Sequence, residues 1–280
     1  MKKNKVTAFS LFKIILLAVL IVIWVIPLCG VFVNSFRNFT NASSSGWWKA
    51  FSENAFTLDN YKKMVSQSKF ILGLKNSIII TLPTVVFVLL FSSFAAYALF
   101  FTSVPGRKKI YAVIGALIII PAEITLAPTL IILKSIHLQN TYPGIWMSHV
   151  SATLPFGIFL LGAFMSGIPQ ELTYAAKIDG AGVMSIYQKI VLPLSVPSMT
   201  TLAIFDFLWV WNDLIRAIIV IPDSQFRPLT AVLANAGGGY GEHLTVQAAG
   251  AVLLLLPPLV FFLSTQKAFE RGAVAGAIKG

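Results

Sequence analysis

The chain has 280 residues, of which 57% are hydrophobic and only 11% charged, with a formal net charge of +11. A mean hydropathy of +0.82 excludes a soluble domain and describes a polytopic membrane protein. The basic excess lies at the ends of apolar runs, with no basic patch interleaved with exposed aromatics. It therefore fits anionic lipid headgroups and not nucleic acid.

Uncharged apolar runs of about 20 residues can cross the roughly 30 Å hydrocarbon layer as helices. Six are expected, at about 11–33, 77–101, 110–133, 142–165, 197–220 and 244–266, making residues 1–280 one all-α transmembrane domain. The first run is too long for a signal-peptide core, and no small-x-small cleavage site precedes Arg37. The single cysteine, Cys29, excludes an internal disulfide framework and a cysteine metal cluster. With six spans both termini share a side. Lys2, Lys3, Lys5 and Lys13, then Arg107, Lys108 and Lys109, then Lys177 and Lys189, then Lys267, Arg271 and Lys279 fall on it, which makes it the cytoplasmic side.

In the first external loop, about 34–76, Leu58, Tyr61, Met64 and Val65 have helical spacing and predict a short surface helix over 57–66. Trp47 and Trp48 read as interfacial anchors. Span three carries Glu123 between Pro121 and Pro128, where a broken helix would open backbone groups to a cavity. The three histidines, His137, His149 and His243, are too far apart in sequence for a metal motif. Ser148 and His149 are adjacent with no carboxylate near in sequence, so no nucleophilic site is expected, and His149 reads as a polar residue facing the bundle.

The polar segment 166–194 lies between spans four and five. Pro169 suits a first helical position and Glu171 places negative charge in the first turn. Leu172, Ala175 and Ala176 share one face, small enough to sink into a groove on another protein, and Gly180 and Gly182 end the helix. Ser185 and Gln188 have capping-box spacing for a second helix, which Pro193 would interrupt.

A charge at mid-membrane costs about 2.5–3.5 kcal/mol on insertion scales. Span five nevertheless holds Asp206, Trp209, Asp213 and Arg216 at i, i+3, i+7 and i+10, one helical stripe. With Asn212 and Glu123 these supply acceptors for hydroxyls and a flat apolar face, suited to a polyhydroxylated ligand. Two other readings stay open: Asp213 and Arg216 as an i, i+3 ion pair that only neutralises the span, and Asp206 and Glu123 as structural groups. In the fifth loop, about 221–243, Gly237, Gly238, Gly239 and Tyr240 predict a flexible external projection. The tail, 267–280, is too glycine-rich to order without a partner.

Tyr174-Ala175-Ala176, Gly180 and Ile190-x-Leu192-Pro193 resemble the cytoplasmic loop of permease subunits of ATP-binding-cassette importers. That pattern is Glu-Ala-Ala, three residues, glycine, nine residues, Ile-x-Leu-Pro. Tyr174 stands where the family pattern has glutamate, and Glu171 lies one turn earlier. Asn76-Ser77, Ala95-Ala96-Tyr97-Ala98, Trp211-Asn212-Asp213 and the tail from Gly272-Ala273 through Gly276 to Gly280 are similar to the six-span partner of maltose-type sugar importers.

The resemblance implies a permease fold in a bacterial cytoplasmic membrane and half of a translocation pathway for sugars or oligosaccharides. It implies a second, homologous permease, an external sugar-binding protein and two ATPase subunits, which hold the ATP and magnesium; this chain would carry no cofactor. It implies docking to an ATPase through Glu171, Tyr174, Ala175, Ala176, Asp179, Gly180 and Ala181. The tail would reach between the ATPases, and the glycine-rich loop would contact the binding protein. A polyol, glycerol phosphate or polyamine is the alternative solute. An ion-coupled secondary transporter is disfavoured because no paired half-chain repeat is visible.

Overall fold

The computed structural model describes residues 8–53, 56–66, 68–223, 225–235 and 244–277. Among them there is no strand, only an isolated bridge between Arg37 and Phe56. In chain order the helices are α1 (Ala8–Ser35), α2 (Phe39–Ser44), α3 (Ala50–Glu53), α4 (Asp59–Ser66), α5 (Ser68–Phe101), α6 (Arg107–Leu117) and α7 (Leu126–Ser135). Then follow α8 (Tyr142–Met165), α9 (Gln170–Ile178), α10 (Val183–Ile186), α11 (Leu192–Asn212), α12 (Ile215–Val220), α13 (Leu229–Asn235) and α14 (Leu244–Ala277).

Among the described residues five stretches are long and apolar enough to cross a membrane: Phe9–Ser35, Lys69–Phe101, Tyr142–Met165, Val183–Asn212 and Leu244–Lys267. The expected single span at 110–133 is instead two shorter helices, α6 and α7, separated by turns over 118–125 around Pro121. A proline has no N–H for the helical ladder and its ring clashes with the preceding turn. Span five also departs from 197–220. Its helix begins at Val183 and ends at Asn212, and α12 is a separate turn. Gly182 takes the N-cap position of α10, so Ser185 lies inside the helix and forms no capping box. Pro193 does not interrupt the helix either. A π-helical turn, Tyr187–Val191, precedes it and places the proline in the first turn of α11, where a missing N–H costs least. Beyond 266 the helix α14 runs on to Ala277, so the tail expected to be irregular is helical over its described part.

The chain forms two compact units. One comprises the residues up to Phe70 with Leu233–Leu255, the other Ile71–Val232 with the residues from Leu256. In the first, the Trp47 indole packs against Gly30 of α1. The buried Arg37 guanidinium donates to Asn34 Oδ1 (3.2 Å), Asn41 O (2.7 Å) and Ser45 Oγ (2.6 Å). Asn60 Nδ2 donates to the carbonyls of Ser35 and Arg37 (2.9 and 2.7 Å) and accepts from Thr245 at its Oδ1. These bonds satisfy the backbone of an irregular loop and seat α4, which occupies Asp59–Ser66 of the expected 57–66.

The second unit holds two apolar clusters. One joins Val88, Ala96, Tyr97, Leu161, Met165, Tyr187 and Leu202 from α5, α8, the π turn and α11. The other joins Ile80, Leu133, Ile145, Val210 and Ile221. Close approach of α8 is set by its glycines: a Cβ on Gly157 would overlap Ser92, and one on Gly162 would lie 2.6 Å from the Tyr111 ring.

Candidate functional site

Within the second unit a cavity of about 460 Å³ opens where two membrane elements break, between α6 and α7 and between α11 and α12. Glu123, His149, Trp209, Asn212, Asp213 and Arg216 line it. Glu123 comes from the turns after Pro121, so the expected coincidence of a carboxylate, a broken helix and a cavity is present. Trp209 is half exposed and its ring lies 6.1 Å from Phe156. Asn212 Nδ2 donates to Leu208 O at 2.8 Å, which leaves its carbonyl oxygen as the acceptor available to the cavity.

Asp213 and Arg216 form the i, i+3 pair, Oδ2 to Nε at 3.5 Å, and Asp213 Oδ1 accepts from the Arg216 N–H at 3.0 Å. The guanidinium does more than neutralise. It donates to Ser148 O (3.1 Å) and Ser148 Oγ (2.7 Å) on α8 and to Ala122 O (3.3 Å) in the broken segment. Arg216 thus ties α12, α8 and the 118–125 turns together, and Asp213 Oδ2 also lies 3.8 Å from the buried His149 Nδ1. Asp206 is different. It is 2% exposed, lies beside Thr153 and does not line the cavity. Its carboxylate oxygens accept no hydrogen bond among the described residues. The single stripe expected along span five is therefore split: Trp209 and Asp213 meet the cavity, and Asp206 is packed inside the bundle.

At the opposite end of α11 the segment 166–194 is a helix, a sharp turn and a second helix. Gly180 has φ +81°. Gly180 N–H donates to Lys177 O (3.0 Å) and Ala181 N–H to Ala176 O (2.9 Å), which is a Schellman cap. The spacing from Ala176 to Gly180 is the spacing of that cap, and the left-handed backbone at 180 is why a glycine stands there. Ala176 and Ala181 pack against the bundle's own core, alongside the buried Thr173. This corrects the expected face. Ala176 and Ala181 turn inward, while Glu171, Leu172, Tyr174, Ala175, Asp179 and Gly180 are exposed. Ile178, which the motif does not single out, is 86% exposed, and Val183 and Met184 lie open after the turn.

Two further links hold this segment to span two. Tyr97 OH donates to Val183 O at 2.8 Å, and Ser93 Oγ and Tyr187 OH are 2.8 Å apart. At the other end of α5, Asn76 Nδ2 donates to the carbonyls of Gln225 (2.9 Å) and Arg227 (3.0 Å), and Ser77 Oγ accepts from Leu229 N–H (2.8 Å). Those partners are about 150 residues apart, so no local pattern announces them. The residues Gly237, Gly238, Gly239 and Tyr240 lie outside the described residues, as does His243.

The family model described as binding-protein-dependent transport system inner membrane component matches residues 71–274. The chain is 34% identical to an osmoprotective compounds uptake permease of Synechocystis, over 92% of this chain and 88% of that one. It is 37% identical to an alpha-glucoside transport system permease of Rhizobium meliloti, over 80% of this chain and 61% of that one. Among solved structures, a bacterial ABC transporter involved in the import of the acidic polysaccharide alginate has a similar fold. The TM-score is 0.80 at 20% identity, with 96% of this chain and 99% of that chain covered.

Proposed function

The chain belongs to the binding-protein-dependent transport system inner membrane components, and we propose that it passes sugars or oligosaccharides inward through the cavity beside Trp209. The observation that carries this reading is the pairing, in one membrane cavity, of an indole with the acceptors Glu123, Asn212 and Asp213. A sugar ring offers an apolar C–H face to the indole and hydroxyl donors to the acceptors. The likeness to permeases named for alpha-glucosides, for trehalose and for arabinooligosaccharides supports it. The likeness to an osmoprotectant permease favours a second reading, a compact neutral polyol, which the same cavity chemistry would serve.

The motor is external in this proposal. The exposed face of α9, with Leu172, Ala175 and Ile178, docks on a cytoplasmic ATPase, which holds the ATP and magnesium. The Schellman turn and the Tyr97–Val183 and Ser93–Tyr187 links carry its displacement into α5 and α11. A second permease completes the pathway, an external binding protein delivers the solute, and both termini are cytoplasmic. The test is to purify the chain from its own membrane and add binding protein with sugar. Co-purified ATPase subunits whose hydrolysis rises on that addition are the expected result. A chain that transports with no ATPase bound would overturn it.

A further inference from the structure

Beside the docking helix lies a second site that the transport pathway does not use. Two adjoining cavities, about 170 and 460 Å³, share Phe100, Arg107 and Gln170. The smaller runs against Phe100 and Tyr111, which pack edge to face at 5.1 Å. The larger is bordered by Tyr174 and Lys177 of α9. Arg107, Lys108 and Lys177 supply three cations, and no carboxylate lines either cavity. Glu171 on α9 and Asp179, which follows it, line neither, and none of the three cations is ion-paired among the described residues. The cleft sits where two of the long apolar helices end, α5 at Phe101 and α8 at Met165.

We propose that this cleft binds one anionic phospholipid of the inner leaflet, its phosphate on Arg107 and Lys177 and an acyl chain along Phe100 and Tyr111. A slot walled by Leu99, Phe100 and Tyr111 and continuous with a polar, cationic one matches a lipid better than a soluble anion. Basic pockets between membrane helices on the cytoplasmic side hold anionic headgroups in this way, and a guanidinium grips a phosphate through two N–H donors. Because Tyr174 and Lys177 belong to α9, a bound headgroup would fix the docking helix against the end of span two. The inference rests on the reading that this end of the bundle is cytoplasmic.

The test uses the whole complex in nanodiscs of phosphatidylcholine with or without phosphatidylglycerol, reading retained lipid by native mass spectrometry and hydrolysis stimulated by binding protein and sugar. The wild type should retain phosphatidylglycerol in preference to phosphatidylcholine. The Arg107→Gln/Lys177→Gln pair should lose about tenfold or more of that preference, and Arg107→Lys should recover part of it. In phosphatidylcholine alone the single variant Arg107→Gln, which lies off α9, should hydrolyse ATP at the wild-type rate, so failure of the lipid site leaves the transport reading untouched. A wild type without lipid preference overturns the proposal whether or not the variants assemble. So does displacement of the lipid by millimolar inorganic phosphate, which marks a free-anion site, or retention only after the ATPase subunits are stripped, which marks a protein interface.

Discussion

Arg216 Nε lies 3.5 Å from Asp213 Oδ2 across the break that ends α11, and the same guanidinium reaches Ser148 on α8. A buried cation placed between three elements holds the wall of the cavity in one shape. Its partners are two backbone carbonyls, one hydroxyl and one carboxylate, so removal of any polar partner leaves a buried charge short of a bond.

Arg216→Met should therefore cost about 3–5 kcal/mol, the usual effect of breaking a buried pair from one side. The check is thermal unfolding of the purified complex. A melting temperature within a degree of wild type would show that Arg216 holds nothing together.

Asn76→Ala strips donors from the carbonyls of Gln225 and Arg227 and an acceptor from the Tyr142 hydroxyl, 2.7 Å away. Each stranded group costs about 1–3 kcal/mol. The expected outcome is a loosened 221–229 segment, read as faster amide exchange there, with the ATPase still bound. Asn76→Asp keeps the acceptor for Tyr142 but not the donors, and should show the same loosening. Unchanged exchange in both variants would contradict the clamp.

In the cavity, Trp209→Ala removes the flat face proposed for a sugar ring and should raise the apparent KM for uptake several-fold to about tenfold. Glu123→Gln should shift the same parameter and leave assembly intact. Asp206→Asn should not, because Asp206 is packed away from the cavity. Uptake assays on the three variants decide it; a large loss confined to Asp206→Asn would move the pathway to the other side of α11.

The alanines of the 166–194 segment separate by direction. Ala176→Trp overfills the bundle's own core and should reduce the yield of folded protein. Ile178→Asp and Ala175→Trp alter an exposed face and should leave yield and melting temperature alone while abolishing stimulated ATP hydrolysis. Normal hydrolysis in both exposed variants would remove that face from the coupling.

Much of this site was legible in local pattern, for reasons of backbone geometry. A glycine four residues after Ala176 predicts the left-handed cap that Gly180 forms. A carboxylate between Pro121 and Pro128 predicts a broken span open to a cavity. Patterns failed where two solutions satisfy one spacing. Leu172, Ala175 and Ala176 share a helical face, yet the helix is rotated so that Thr173 and Ala176 meet the bundle. Ser185 and Gln188 have capping-box spacing, but Gly182 already starts the helix. Pro193 reads as an interruption unless a π turn absorbs it. The Asn76, Tyr97 and Arg216 bonds join residues far apart in sequence and leave no periodic trace.

The most direct measurement is cross-linking from Ile178 in the assembled complex, with Cys29→Ala to remove the native thiol and Ile178→Cys as the sole cysteine. The account predicts a cross-link to the ATPase subunit, and no modification by an impermeant thiol reagent added outside intact cells. Labelling from outside, or a free thiol that no subunit shields, would contradict it.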